Sequence, residues 1–350
     1  MNQQKAAAFK DKYGPWAIVT GASSGIGRAI TTELAAKGLN LVLVARRQTE
    51  LEQVARHLSA QHGVETRVLA ADLASVTALT QIESATKDLD VGLLVAAAGF
   101  GTAGDFMKAK LEDELAMLDV NCRAVMQLGL HFGKRFAERG RGGLILFGSL
   151  VGYQGTPHAA HYAATKAYVQ TLAEALHVEL APKGVDVLSS APGPVHSGFG
   201  ARADMKMGAA EKPETVARAT LNALGKKMTV TPGALSKFLT WSLMTAPRGL
   251  RVRIMGKIMG GMTRRSMPSR NRILASHNDA AARILVFSRS PSHSPRGLDF
   301  GDVDLAHVHH RGARAFGFRA ASGHGFREHE GRDSMSFPQV PMTNLRCISN

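Results

Sequence analysis

Cysteine is almost absent: Cys122 and Cys347 are the only two in 350 residues, far apart along the chain. That excludes a disulfide framework and a cysteine metal site, and it fits a reducing compartment, so a cytoplasmic location is expected. Long apolar runs are missing as well. The N-terminus is polar apart from Ala6-Ala7-Ala8-Phe9, which makes neither a signal peptide nor a membrane span. Acidic residues are few beside basic ones, 28 against 43, and the net charge is +15. Part of that excess lies near the C-terminus, without an aromatic–basic pattern, so no nucleic-acid partner is expected. What remains is ordinary. With 45% hydrophobic and 20% charged residues, the chain can bury a sizeable core in one large or two medium domains.

Short apolar runs alternate with helix-type periodicity. Strands are predicted at Trp16–Thr20, 41–45, Thr66–Ala70, Val91–Ala96, 143–147 and Val185–Ser190. Helices are expected between them, including Gln48–His62 and a long one over 111–137. This order predicts an α/β fold: a three-layer, doubly wound parallel sheet of the Rossmann type, with ligands beyond the carboxyl ends of the strands.

The first strand runs into Gly21-Ala22-Ser23-Ser24-Gly25-Ile26-Gly27 and then a helix. Glycines in that setting let the backbone approach a pyrophosphate, and the helix N-terminus offers free N–H groups. The second strand ends in Ala45-Arg46-Arg47, where an NAD enzyme usually carries an acidic residue. Two guanidinium groups suit a 2′-phosphate, so Arg46 and Arg47 point to NADP(H). Asp72, at the end of the third strand, either caps the next helix or contacts the adenine. Gly99, after the fourth strand, lets the backbone pass beside a ribose. Asn121 falls inside the long helix, either as a satisfied core amide or as a distortion that holds a water.

Tyr162 and Lys166 stand one turn apart on one helix face, downstream of Ser149. A neighbouring ammonium favours the phenolate, so the pair suits proton transfer to or from an oxygen.

Thr20-Gly21-Ala22-Ser23-Ser24-Gly25-Ile26-Gly27, Asn121, Ser149, Tyr162-x-x-x-Lys166 and Pro192-Gly193, in this order, resemble the short-chain dehydrogenase/reductase family over about residues 14–263. The resemblance implies an NADP-dependent enzyme in which Tyr162 is the general acid and Ser149 polarises the substrate oxygen. Lys166 binds the nicotinamide ribose and lowers the Tyr162 pKa, and Asn121 positions a water linked to Lys166. It also implies cofactor contacts for Gly21, Ser23, Ser24, Gly25, Ile26, Gly27, Asp72, Gly99, Pro192, Gly193, Val195 and Ser197. Two departures are plain. Ala96-Ala97-Ala98-Gly99 stands where the family commonly has Asn-Asn-Ala-Gly, and Ser197 replaces its threonine.

Substrate choice is expected in a lid at about 198–212 and in a basic, apolar segment at about 234–262. The latter is a core-facing helix, a Met-lined mouth for an apolar ligand, or a weak membrane-surface contact over 238–262. The segment is loosely similar to the branch of the family that acts on hydrophobic ketones of steroid or fatty-acyl type. An apolar aldehyde or ketone is therefore the expected substrate, with a 3-oxoacyl-thioester reductase or a non-catalytic NADP-binding sensor as alternatives. Relatives of this kind pair as homodimers or homotetramers. From Arg264 onward Arg, His, Ser and Gly dominate, and seven of the 14 histidines occur there. Residues 264–350 are expected to be an irregular, non-native tail, and His307, His309 and His310 lack the partners of a metal site.

Overall fold

A computed structural model describes residues 3–263 except 204, 206, 207 and 209; the 264–350 tail and its histidines lie outside the described residues. Seven strands form one sheet: β1 (Trp16–Thr20), β2 (Asn40–Ala45), β3 (Thr66–Ala70), β4 (Val91–Ala96), β5 (Gly142–Phe147), β6 (Val185–Ser190) and β7 (Thr229–Val230). All pairings are parallel, in the order β3-β2-β1-β4-β5-β6-β7. The chain builds outward from β1 to β3, then crosses back to lay β4 on the other side of β1. That reversal opens a crevice at the carboxyl ends of the central strands, and the site lies there.

The helices are α1 (Gln3–Tyr13), α2 (Gly25–Ala35), α3 (Gln48–His62), α4 (Ala78–Thr86), α5 (Leu111–Leu118), α6 (Ala124–Arg139), α7 (Ala160–Leu180), α8 (Phe199–Arg202), α9 (Pro213–Ala223), α10 (Ala234–Met244) and α11 (Arg248–Thr263). Strand alternation divides the core between two faces. Ala17, Val19, Leu41, Leu43 and Val95 pack with Ile30 and Leu34 of α2, Leu51 and Leu58 of α3 and Leu221 of α9. Ile18, Val42, Val44, Leu94 and Leu146 pack with Ile82 of α4, Phe132 and Phe136 of α6 and Val169 of α7. Both faces of the central strands are covered, which is why they read as nearly unbroken apolar runs.

Three elements differ from the sequence expectation. α1 forms over residues that read as mostly polar, because the Phe9 and Tyr13 rings meet at 4.6 Å, tilted, and Tyr13 is buried and bonded to Asp186. The expected long helix divides into α5, a π-helical turn at Asp119–Arg123, and α6. Thr229 and Val230 extend the sheet as a two-residue strand beside Ser189 and Ser190. Among the described residues no helix is long and apolar enough to cross a membrane.

Candidate active site

The loop after β1 needs its glycines. Gly21 has φ +70°, and a Cβ there would lie 2.9 Å from the Ala98 Cα. Thr20 Oγ1 accepts a hydrogen bond from Ala98 N at 3.1 Å, stitching this loop to the one after β4. The alanines at 96–98 thus serve close packing of two backbones. Ser24, the N-cap of α2, is extended and its hydroxyl does not bond the helix amides, which leaves the first turn able to receive an anion. A Cβ on Gly25 would lie 3.2 Å from the Ser197 Cβ, so Ser197 sits directly against the glycine loop.

Arg46 and Arg47 follow β2 but are not equivalent. Arg47 pairs with Glu50 at 2.6 Å, whereas Arg46 has no ion-pair partner among the described residues. Asp72 Oδ1 accepts from Ala74 N at 3.0 Å, so it caps the turn ahead of α4 rather than α4 itself. Both Arg46 and Asp72 line the same cavity as the glycine loop.

At the other end of this cavity stand Ser149, Tyr162 and Lys166. Ser149 follows β5, is 9% exposed, and donates to Pro192 O at 3.4 Å. Tyr162 and Lys166 project from the first turns of α7. Burial pushes the Tyr162 phenol up to about 12, and a hydrogen bond with Ser149 acts in the opposite direction. Burial pushes the Lys166 ammonium down to about 8. Its Nζ donates to Phe147 O at 2.9 Å and lies 5.9 Å from the centre of the Tyr162 ring. In this geometry burial outweighs any lowering of the phenol by Lys166.

Asn121 lies in the π-helical turn and behind the cavity rather than in its wall. Its Nδ2 donates to Phe100 O at 2.8 Å and to Thr165 Oγ1 at 3.0 Å, and its Oδ1 accepts from Phe100 N at 3.2 Å. The amide is thus satisfied, as in the first sequence reading, and the helix around it is distorted. A Cβ on Gly99 would lie 3.1 Å from Asn121 Oδ1 and 3.3 Å from Lys166 Nζ. The missing side chain leaves these groups room to approach.

The cavity measures about 600 Å³ and brings together every predicted site residue except Asn121, including Ile26, Gly27, Pro192, Gly193 and Val195. Leu239, Leu243, Met255, Ile258, Met259 and Met262 line its outer part. Among the wall residues not singled out from sequence are Phe100, Phe199 and Arg202. The Phe199 ring lies 5.3 Å from that of Tyr162. Phe199 and Arg202 fall within the predicted lid, but spacing alone does not say which lid side chains turn inward.

A crevice at the strand-order reversal, a glycine-rich loop, an open helix N-terminus and an arginine without an ion-pair partner among the described residues fit a phosphate-bearing dinucleotide. With a serine, tyrosine and lysine at its far end, the cavity defines a dinucleotide-dependent α/β oxidoreductase. Residues 15–207 match the family model described as short chain dehydrogenase. The 7beta-hydroxysteroid dehydrogenase of Clostridium sardiniense is 38% identical over 233 residues, covering 65% of this chain and 89% of that protein. A solved 7beta-hydroxysteroid dehydrogenase structure superposes with a TM-score of 0.66 at 28% identity, over 71% of this chain and 98% of the other. A short-chain dehydrogenase from Sphingobium yanoikuyae in complex with NADPH has a TM-score of 0.60 at 27% identity, over 67% and 96%. The chain belongs to the short-chain dehydrogenase family.

Proposed function

We propose that this enzyme uses NADP(H) to interconvert a carbonyl and an alcohol on an apolar aldehyde or ketone, with Tyr162 as general acid and base. The observation that carries this reading is one continuous cavity, with the glycine loop and Arg46 at one end, Ser149, Tyr162 and Lys166 at the other, and an apolar outer part. When bound, the cofactor supplies the hydride from its nicotinamide. The residues do the rest. Ser149 holds the substrate oxygen, and Tyr162 gives it a proton in reduction or takes one in oxidation. The phenol is protonated at neutral pH and so can donate in reduction; burial raises its pKa further, to about 12. Lys166 anchors the ribose, and Asn121, through Phe100 and Thr165, holds the loop and helix that frame it.

Arg46 makes the contact with the 2′-phosphate, and Arg47 contributes less because Glu50 already holds it. The Leu- and Met-lined mouth supports a bulky apolar substrate. The hydroxysteroid dehydrogenase relatives support one of the fused-ring kind. The test is NADPH oxidation against carbonyl compounds graded by size and polarity, with NADH in parallel. Turnover of bulky cyclic ketones is the expected result. A preference for 3-oxoacyl thioesters would select that reductase reading instead, and NADPH binding without turnover of any of them would select a sensor.

Residues 1–263 form the catalytic domain in this proposal, and 264–350 are dispensable. Exposed Leu111, Leu115, Leu118, Leu130 and Tyr168 on α5, α6 and α7 are where we place a homodimer or homotetramer contact. A membrane-surface contact would use the outward side of α10 and α11, where Phe238 and Trp241 are exposed beside Lys237 and Arg253. A cytoplasmic location is part of the same reading, and Cys122 is a free, buried thiol.

A further inference from the structure

Arg202 is a charged residue on the lid with an unusual setting. It ends the short helix α8, whose other end, Phe199, lies against Tyr162. Its guanidinium carbon lies 3.6 Å from the centre of the Phe100 ring, the spacing of a flat stack. Phe100 is itself a fixed platform: it is buried, and Asn121 bonds both its N–H and its carbonyl. Stacking therefore holds the cation at one place in the cavity wall while leaving its edge N–H groups to donate.

Those N–H groups have no ion-pair partner among the described residues. Burial disfavours the Arg202 charge, Arg46 disfavours it further through space, and Asp72 and Asp113 favour it. Arg46 and Asp72 follow β2 and β3, on the side of the glycine loop, whereas the residues lining the outer mouth are apolar. Two guanidinium groups, Arg46 and Arg202, thus face one cavity that also receives the open N-terminus of α2. Asp72 and Asp113 offset part of the repulsion between these like charges, and a phosphate between them would offset more.

We propose that Arg202, on α8, is a phosphate ligand for the bound dinucleotide. This rests on the dinucleotide reading above. The ligand chemistry is a phosphate oxygen, from either the pyrophosphate or the 2′-phosphate.

The test measures dissociation constants of NADPH and NADH by nicotinamide fluorescence on the full chain, for wild type, Arg202→Met and Arg202→Lys. Methionine keeps an apolar stem over Phe100 and removes the charge; lysine restores the charge without the fork. Arg202→Met is expected to weaken NADPH binding about ten- to a hundredfold, and Arg202→Lys to recover part of the loss. Equal losses for both dinucleotides identify the pyrophosphate; a loss confined to NADPH identifies the 2′-phosphate. Constants within about twofold of wild type for both would overturn the proposal. So would a defect seen only as a raised KM for carboxylate-bearing ketones, since Arg202 would then be a substrate ligand. Unaltered melting of the cofactor-free Arg202→Met variant separates lost contact from lost folding; if that variant melts early, recovery of affinity in Arg202→Lys decides. If wild type binds neither dinucleotide, the underlying reading of the cavity fails, an outcome distinct from the failure of Arg202 alone.

Discussion

Lys166 and Phe147 tie α7 to the last residue of β5: the ammonium donates to the phenylalanine carbonyl at 2.9 Å inside the protein. That bond holds a cation where burial opposes it, and this sets the proton balance. The folded ammonium titrates at about 8, below its ordinary value of 10.5. Between those values the unfolded chain binds more protons than the folded one, so this contribution to stability rises with pH. Tyr162 acts in the opposite sense at higher pH, since its folded value of about 12 exceeds the ordinary 10. Above pH 10 the unfolded phenol releases its proton first, and stability falls.

Urea unfolding of wild type and Lys166→Met checks the lysine part. From about pH 8 to about pH 9.5 wild type should gain on the variant by roughly 1–2 kcal/mol. A difference that does not change with pH would show that the buried lysine does not carry this linkage.

Arg46→Ala should raise the NADPH dissociation constant about tenfold while leaving NADH nearly unchanged. Arg47→Ala should do less, because its side chain is 62% exposed and already paired with Glu50. Isothermal titration of the two variants distinguishes them, and equal effects would remove the asymmetry read from the ion pair.

Asn121→Leu removes the partner of both polar groups of Phe100 and leaves them buried. A loss of about 2–4 kcal/mol in unfolding free energy is expected. Because Phe100 also supports Arg202, NADPH affinity should fall with it. A variant as stable as wild type would mean that water or a shifted backbone replaces these bonds.

Truncation after Thr263 should leave turnover and melting temperature intact, since the residues described up to Thr263 already form two extensive cores. A large loss of either would make 264–350 part of the working enzyme.

Much of this was legible in the residues. β1, β3, β4 and β6 carry the predicted bounds: β1, β4 and β6 because strands buried on both faces leave short apolar runs between polar breaks, and β3, at the sheet edge, although it is only half-buried. The glycine loop and the Tyr162–Lys166 pair could be placed because each depends on spacing within one strand–helix unit. Other features were hidden for a common reason: they depend on contacts distant in sequence. The π-helical turn at Asp119–Arg123 is accompanied by Asn121 bonding to Phe100 and Thr165, and an asparagine inside a helix gave a distortion only as one of two readings. α1 owes its place to the burial of Tyr13 and its bond to Asp186. The stack of Arg202 on Phe100 joins residues that sequence spacing cannot pair. Likewise, the phenol's raised pKa comes from burial, whereas the spacing of Tyr162 and Lys166 suggested only the effect of a nearby charge.

Tyr162→Phe tests the central claim most directly. The variant keeps the ring beside Phe199 and removes only the hydroxyl that bonds Ser149. NADPH affinity should stay within about threefold of wild type while the rate of ketone reduction drops by about 10²–10⁴. Reduction at the wild-type rate by this variant would contradict the account.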